Sequence, residues 1–233
     1  SIQMVIRFMV DKQFGGFHWL KLANHYGVST RESRCNVEVE FNDEDLSCLP
    51  DRMDFAPVVW MAFDIEACKG GNGRGFVNAK EDSVSQIGIT LFTSDYKVLD
   101  KRCLSLVPKG KSVANIGIPV DKFEDEKEMF IAFRNYINKH DVDVITGYNV
   151  KGFDIKYLFD RENDEEFLDM GKLVDRKAYI KKSSFSSAQK GSKITYKVNI
   201  EGRFVVDVLD FIKDTMKERS YTLGHIAFTI LGY

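Results

Sequence analysis

Apolar and polar positions follow two rhythms along this chain, and the change from one to the other marks out its elements. Residues 2–10 are an apolar run read as a strand, and a Gly-Gly break leads to a second strand pattern over 14–22. Residues 35–41 alternate apolar side chains with acids, the period of a half-exposed strand. The acidic, proline-bounded stretch 42–57 reads as a linker. Residues 1–56 are therefore predicted to be part of a β-rich N-terminal domain, and 57–233 a second domain.

The second part opens on Val58-Val59-Trp60-Met61-Ala62-Phe63, a continuous apolar run of the kind a strand buried in mid-sheet carries. This strand, over 58–66, leads into a glycine-rich loop at 70–75 and strands at 84–92 and 96–107. A helix over about 124–139 rests on Met129, Phe130, Phe133 and Ile137 at helical spacing. A strand at 142–147 and a helix at 153–160 come next. Residues 183–192 are then polar and turn-rich and pass into a period-two strand over 194–200, a hairpin pattern. A strand at 204–208 and a helix at 209–217 precede a last helix with Leu223, Ile226, Ala227, Ile230 and Leu231 on one face. Three tightly joined strands, then alternating helix and strand, predict an α/β fold of ribonuclease-H-like order.

Composition narrows the class. With 233 residues, 44% hydrophobic and 29% charged, the chain fits a globular domain and a smaller part of another. No apolar run approaches bilayer length or resembles a signal peptide, so no membrane partner is expected. Cys35, Cys48, Cys68 and Cys103 form no Cys-x-x-Cys pair and read as reduced intracellular thiols. The net charge of −2 neither demands nor excludes nucleic acid, but charge segregates locally. Residues 160–169 carry six acids against one Arg, whereas 172–197 carry eight Lys or Arg against Asp175. Lys181, Lys182, Lys190 and Lys193 on the hairpin suit contact with a phosphate backbone; a solvated loop is the plain alternative.

Candidate chemistry lies in two phrases, Phe63-Asp64-Ile65-Glu66 and Thr146-Gly147-Tyr148-Asn149-Val150-Lys151-Gly152-Phe153-Asp154. Residues two apart on a strand share a face, within about 7 Å. At an effective dielectric near 20, two such charges repel by roughly 2–3 kcal/mol. Mg²⁺ or Mn²⁺ would turn that repulsion into attraction, because hard divalent ions take oxygen ligands. Asp64 and Glu66 alone could be a solvated strand end, and Asp154 alone an acid complementing a helix dipole. Together they describe a carboxylate-metal nuclease.

The chain resembles the exonuclease region of family B DNA polymerases, most closely the delta-type members of eukaryotes and large DNA viruses. Ile6-Arg7-Phe8-Met9-Val10-Asp11 and Phe17-His18-Trp19-Leu20 are similar to the delta-type N-terminal domain. Phe63-Asp64-Ile65-Glu66 resembles the first exonuclease motif, and Asp143-Val144-Ile145-Thr146-Gly147-Tyr148-Asn149 with Phe153-Asp154 the second. Gly202-Arg203-Phe204-Val205-Val206-Asp207, Arg219-Ser220-Tyr221-Thr222-Leu223 and Leu231-Gly232 resemble a delta-type signature preceding the third. The resemblance implies that Asp64, Glu66 and Asp154 are metal-binding catalytic carboxylates of a 3′→5′ proofreading site using two Mg²⁺ or Mn²⁺ ions. It implies that Asn149 and Phe153 place the frayed primer end, although Phe153 could instead be core, and that the hairpin helps move the primer strand. Asp207 is read as structural. DNA, a sliding clamp and accessory polymerase subunits are the implied partners. The implied location is the nucleus, or for a viral protein the host nucleus or a cytoplasmic replication site.

The third motif of that family, Tyr-x-x-x-Asp on a late helix, has one match in spacing, Tyr96-Lys97-Val98-Leu99-Asp100, which lies in a strand-like hairpin ahead of the second motif. No His has an Asp five residues on. The chain is therefore expected to be a piece of a longer enzyme, with little or no exonuclease activity alone. Two alternatives stay open: a free-standing exonuclease of the same fold, and a non-catalytic module binding DNA or a partner.

Overall fold

A computed structural model describes residues 3–70, 75–187 and 191–232, with side chains described there except at 185–187 and 191–194. The chain divides into two compact units, Ser1–Ala56 and Pro57–Tyr233.

The first unit departs from the sequence reading at its start. Met4–Asp11 is a helix (α1), not a strand. Its apolar residues are too nearly continuous to fix a period, and short apolar runs do not distinguish helix from strand. Arg7 and Asp11, one turn apart, form an ion pair at 3.6 Å. Of the strand expected over 14–22, only Leu20–Leu22 (β1) forms, and Phe14 instead meets Phe8 edge-on at 5.6 Å. Tyr26–Gly27 (β2) pairs antiparallel with Val39–Glu40 (β3), all that remains of the alternating stretch at 35–41. Glu38 is diverted there to accept the backbone N–H groups of Glu32 and Ser33 at 2.8 and 2.9 Å. The expected linker is ordered as well: Leu46–Cys48 (β4) pairs with β1, and Trp19 Nε1 donates to the Asp54 carbonyl at 2.7 Å.

The second unit is built on a six-stranded mixed sheet. Val59–Cys68 (β5), Ser83–Thr93 (β6) and Val98–Leu106 (β7) form an antiparallel meander. Val120–Phe123 (β8), absent from the sequence reading, adds parallel to β7. On the other side Val144–Gly147 (β9) lies parallel to β5, and Phe204–Asp207 (β12) parallel to β9, giving the order β12-β9-β5-β6-β7-β8. Tyr179–Ser187 (β10) and Gly191–Asn199 (β11) make a separate antiparallel hairpin.

Helix Glu126–Lys139 (α2) starts at Asp125, whose carboxylate accepts the Glu128 N–H at 3.0 Å. It buries Met129, Phe130, Phe133, Tyr136 and Ile137, and Phe133 meets Phe63 of β5 with ring centroids 5.1 Å apart. Asp154–Arg161 (α3) and the short Glu165–Leu168 (α4) follow β9, and Val208–Thr215 (α5) and Leu223–Leu231 (α6) follow β12. Met61, Phe63 and Ile65 on one face of β5 are core. The opposite face, bearing Asp64 and Glu66, is open. The strand is central, as its sequence predicts, but covered fully on one side only. Water therefore screens the two charges, and their repulsion falls below the value for a buried pair.

The Tyr-x-x-x-Asp match is a turn and a strand. Tyr96 sits at φ 64° between β6 and β7, and Asp100 on β7 accepts from Arg102 Nε and the Tyr136 hydroxyl, both at 2.8 Å.

Candidate active site

β9 is shorter than β5, and this difference makes the site. Their parallel pairing ends at Ala62 and Thr146, so the β5 edge beyond Ala62 needs other partners. Gly147 ends β9 so near β5 that a Cβ there would come within 2.7 Å of the Phe63 carbonyl oxygen. The chain then turns through Asn149 at φ 61°, left-handed geometry that Asn tolerates better than most residues. It re-enters as α3, whose first residue supplies the missing partner: Asp154 Oδ1 accepts the Ile65 N–H at 3.1 Å.

Asp207 holds that turn. It is 4% exposed and accepts the N–H groups of Asn149, Lys151 and Leu209 at 2.9, 2.9 and 3.0 Å, the last as N-cap of α5. One carboxylate thus ties the loop before α3 to the start of α5, consistent with reading Asp207 as structural. Leaving buried donors unsatisfied costs about 1–3 kcal/mol each. Asp207→Ala is therefore expected to lower unfolding free energy by about 3 kcal/mol, read from the urea midpoint; a loss below 1 kcal/mol would remove Asp207 from this role.

The three acids differ in setting. Asp64 and Glu66 are exposed on β5, opposite Gly88 and Gln86 of β6. Asp154 is 2% exposed. Burial, chiefly, and the nearby charge of Asp64 push its carboxyl up to about 7, against the lowering effect of the Ile65 N–H. Among the described residues none of the three forms an ion pair, although acids nearby do so: Asp82 with Lys69, Asp143 with Lys172, Glu126 with Arg161. Among the described residues, too, no three acidic, His or Cys side chains converge into a ready-made metal cage. The donor chemistry nevertheless fits a hard divalent cation, since all three are oxygen donors and the buried one has no cationic partner among the described residues.

An aromatic groove is walled in part by Phe153, the residue before Asp154. Phe153, half-buried, packs on the core and meets Tyr157 at 5.5 Å and Phe76 edge-on at 5.6 Å. It is thus partly core and partly groove wall. Asn149 is exposed, and its side chain folds over Gly152, where a Cβ would lie 2.5 Å from Asn149 Oδ1. Phe76, absent from the sequence reading, is 79% exposed despite its size. Its signal was a lone aromatic ending the glycine-rich loop. Asp82 closes that loop, accepting the Gly70 and Asn78 N–H groups at 2.8 and 2.7 Å, which hold its carboxyl below the usual range.

The cations of the basic stretch differ in setting. Lys172 is a structural cation between Asp141 and Asp143. Lys181 and Lys182 are exposed on β10, Lys181 with its ammonium 5.1 Å from the Tyr179 ring centre. Lys190 and the Lys193 side chain lie outside the described residues. The structure places Asp64, Asp154 and Phe153 around the β5–α3 junction and Glu66 farther along the same strand face; Lys181 and Lys182 belong to the hairpin.

The second unit is thus α/β, with acids at a strand–helix junction and an aromatic groove walled by the residue that precedes the helix. The chain belongs to the exonuclease-domain family of the family B DNA polymerases, whose family model it matches over residues 1–226. It is similar to the DNA polymerase delta catalytic subunits of Arabidopsis thaliana (34% identical over 100% of this chain), Candida albicans (33%, 100%) and Plasmodium falciparum (30%, 99%). It spans 22–23% of the length of these relatives.

Proposed function

We propose that this chain is the proofreading 3′→5′ exonuclease part of a delta-type replicative DNA polymerase. The observation carrying the reading is Asp154: a buried carboxyl group that feels the charge of Asp64, has no ion-pair partner among the described residues, and follows directly on Phe153, which lines an aromatic groove. The mixed sheet, an antiparallel meander extended by parallel strands, supports assigning the ribonuclease-H-like fold.

In this reading Asp64, Glu66 and Asp154 hold Mg²⁺ or Mn²⁺, two ions in the complete site. Ions so held supply activation of the attacking water and stabilisation of charge on the phosphate and the leaving 3′ oxygen. The chain's own residues do the positioning. Asp154 is held by the Ile65 N–H against the strand that carries Asp64 and Glu66. Phe153 offers its ring to the terminal base, a sequence-tolerant way to hold single-stranded DNA. Asn149, on the strained turn, borders the same end. Lys181 and Lys182 steer the phosphate backbone toward the groove. DNA is the substrate, and a sliding clamp and accessory polymerase subunits are the proposed partners. The site of action is the nucleus or, for a viral protein, the host nucleus or a cytoplasmic replication site.

The test is excision of a mismatched 3′ nucleotide by the full-length protein with Mg²⁺ or Mn²⁺. The expected products are 5′-mononucleotides, released faster from mismatched than from paired ends and stopped by EDTA. Intact mismatched primer with either ion would end this reading in favour of a non-catalytic module.

A further inference from the structure

A groove of about 470 Å³ opens beside Phe153, and three distant segments wall it. Phe76 and Lys80 come from the loop before β6, Phe153, Lys156 and Tyr157 from α3 and its N-cap, and Tyr196 from β11 of the hairpin. Lys156 Nζ lies 5.7 Å from the Tyr196 ring centre. Asp160, the acid in the lining, is ion-paired with that same Lys156. Aromatic faces beneath a cationic rim suit stacked bases joined by phosphates better than they suit an apolar ligand.

Tyr196 is held in place by the folded base of the hairpin. It pairs across the strands with Lys182 and shares a face with Ile180 and Val198, which pack against the core. Its ring therefore has a set position relative to α3, the helix that Asp154 begins.

We propose that this groove holds the nucleotide behind the one being cleaved, with Tyr196 as its stacking surface and Lys156 and Lys80 on its phosphate. The inference rests on the exonuclease reading and adds a second binding position to it. Phe153 receives the terminal base, and Tyr196 the base that follows. A strand gripped at both points is registered against the carboxylates, so Tyr196 is a positioning residue.

The test uses the full-length protein carrying Asp64→Ala and Glu66→Ala, which separates binding from cleavage. Single-stranded trinucleotides with 2-aminopurine at the penultimate position report affinity and stacking together. Base–aromatic stacking is worth about 1–3 kcal/mol, so Tyr196→Ala is expected to weaken trinucleotide binding roughly ten-fold and to relieve the 2-aminopurine quench. Tyr196→Phe, which keeps the ring, is expected to bind as the parent does, and binding of a mononucleotide is expected to be unchanged by either substitution. Equal trinucleotide affinity in Tyr196→Ala and parent, or equal weakening in Tyr196→Phe and Tyr196→Ala, would overturn the second position and leave the exonuclease reading standing. A parent that binds no strand at all would overturn both.

Discussion

Replacing Asp64 and Glu66 together by Ala in the full-length protein is expected to lower 3′-terminal excision at least about 100-fold, because even groups one shell out from a metal cost about 10–100-fold when lost. The same change is expected to leave the fold at its original stability or slightly above it. Both side chains are exposed, and among the described residues neither forms an ion pair. Their removal takes away a repulsion and no contact that holds β5 in the sheet. Excision kinetics and urea unfolding on the same sample separate the two effects. A loss of several kcal/mol in stability would make the acids structural and the loss of excision secondary.

Asp154→Asn is expected to stabilise the metal-free protein at pH 8, on the order of 2–4 kcal/mol. Burial pushes the wild-type carboxyl up to about 7 in the fold, against about 4 in the unfolded chain. Between those values the folded state binds the extra proton, so stability falls as pH rises through that window. Below about pH 4 the group is protonated in both states and its contribution is fully present; above about 7 it is lost, and the fold carries a buried charge. Asn keeps an oxygen to accept the Ile65 N–H but carries no charge to bury. The stability difference between variant and wild type is therefore expected to grow from pH 4 to pH 7 and then level off. Millimolar Mn²⁺ is expected to raise the wild-type melting temperature at pH 8 and to raise that of Asp154→Asn less. A variant less stable than wild type at pH 8 would mean that a partner already satisfies the charge on Asp154.

What the sequence shows and hides follows from the range of each interaction. β5 and its two acids are legible because a long apolar run with a same-face pair of carboxylates is a local pattern. α2 is legible because Met129, Phe130, Phe133 and Ile137 recur at helical spacing, and all four are buried. α1 is not, since eight residues of mostly apolar character fit either period. β8 is hidden because four residues with no strong alternation become a strand only by pairing with β7. The burial contrast between Asp64 and Asp154 is equally invisible in one dimension: it comes from β9 ending before β5 and α3 closing the gap. Phe76 and Tyr196 lie 120 positions apart in the chain and share a groove only in the fold.

The central claim is that Asp64, Glu66 and Asp154 bind divalent ions that act on a strand end held at Phe153. A crystal structure of the full-length Asp154→Asn variant and of wild type, each soaked with Mn²⁺ and a single-stranded oligonucleotide, tests it most directly. The expected result is Mn²⁺ anomalous density against the Asp64 and Asp154 carboxylates of wild type, weakened in the variant, with the 3′-terminal base on Phe153. Mn²⁺ bound away from these carboxylates, or a terminal base lodged away from Phe153, would contradict it.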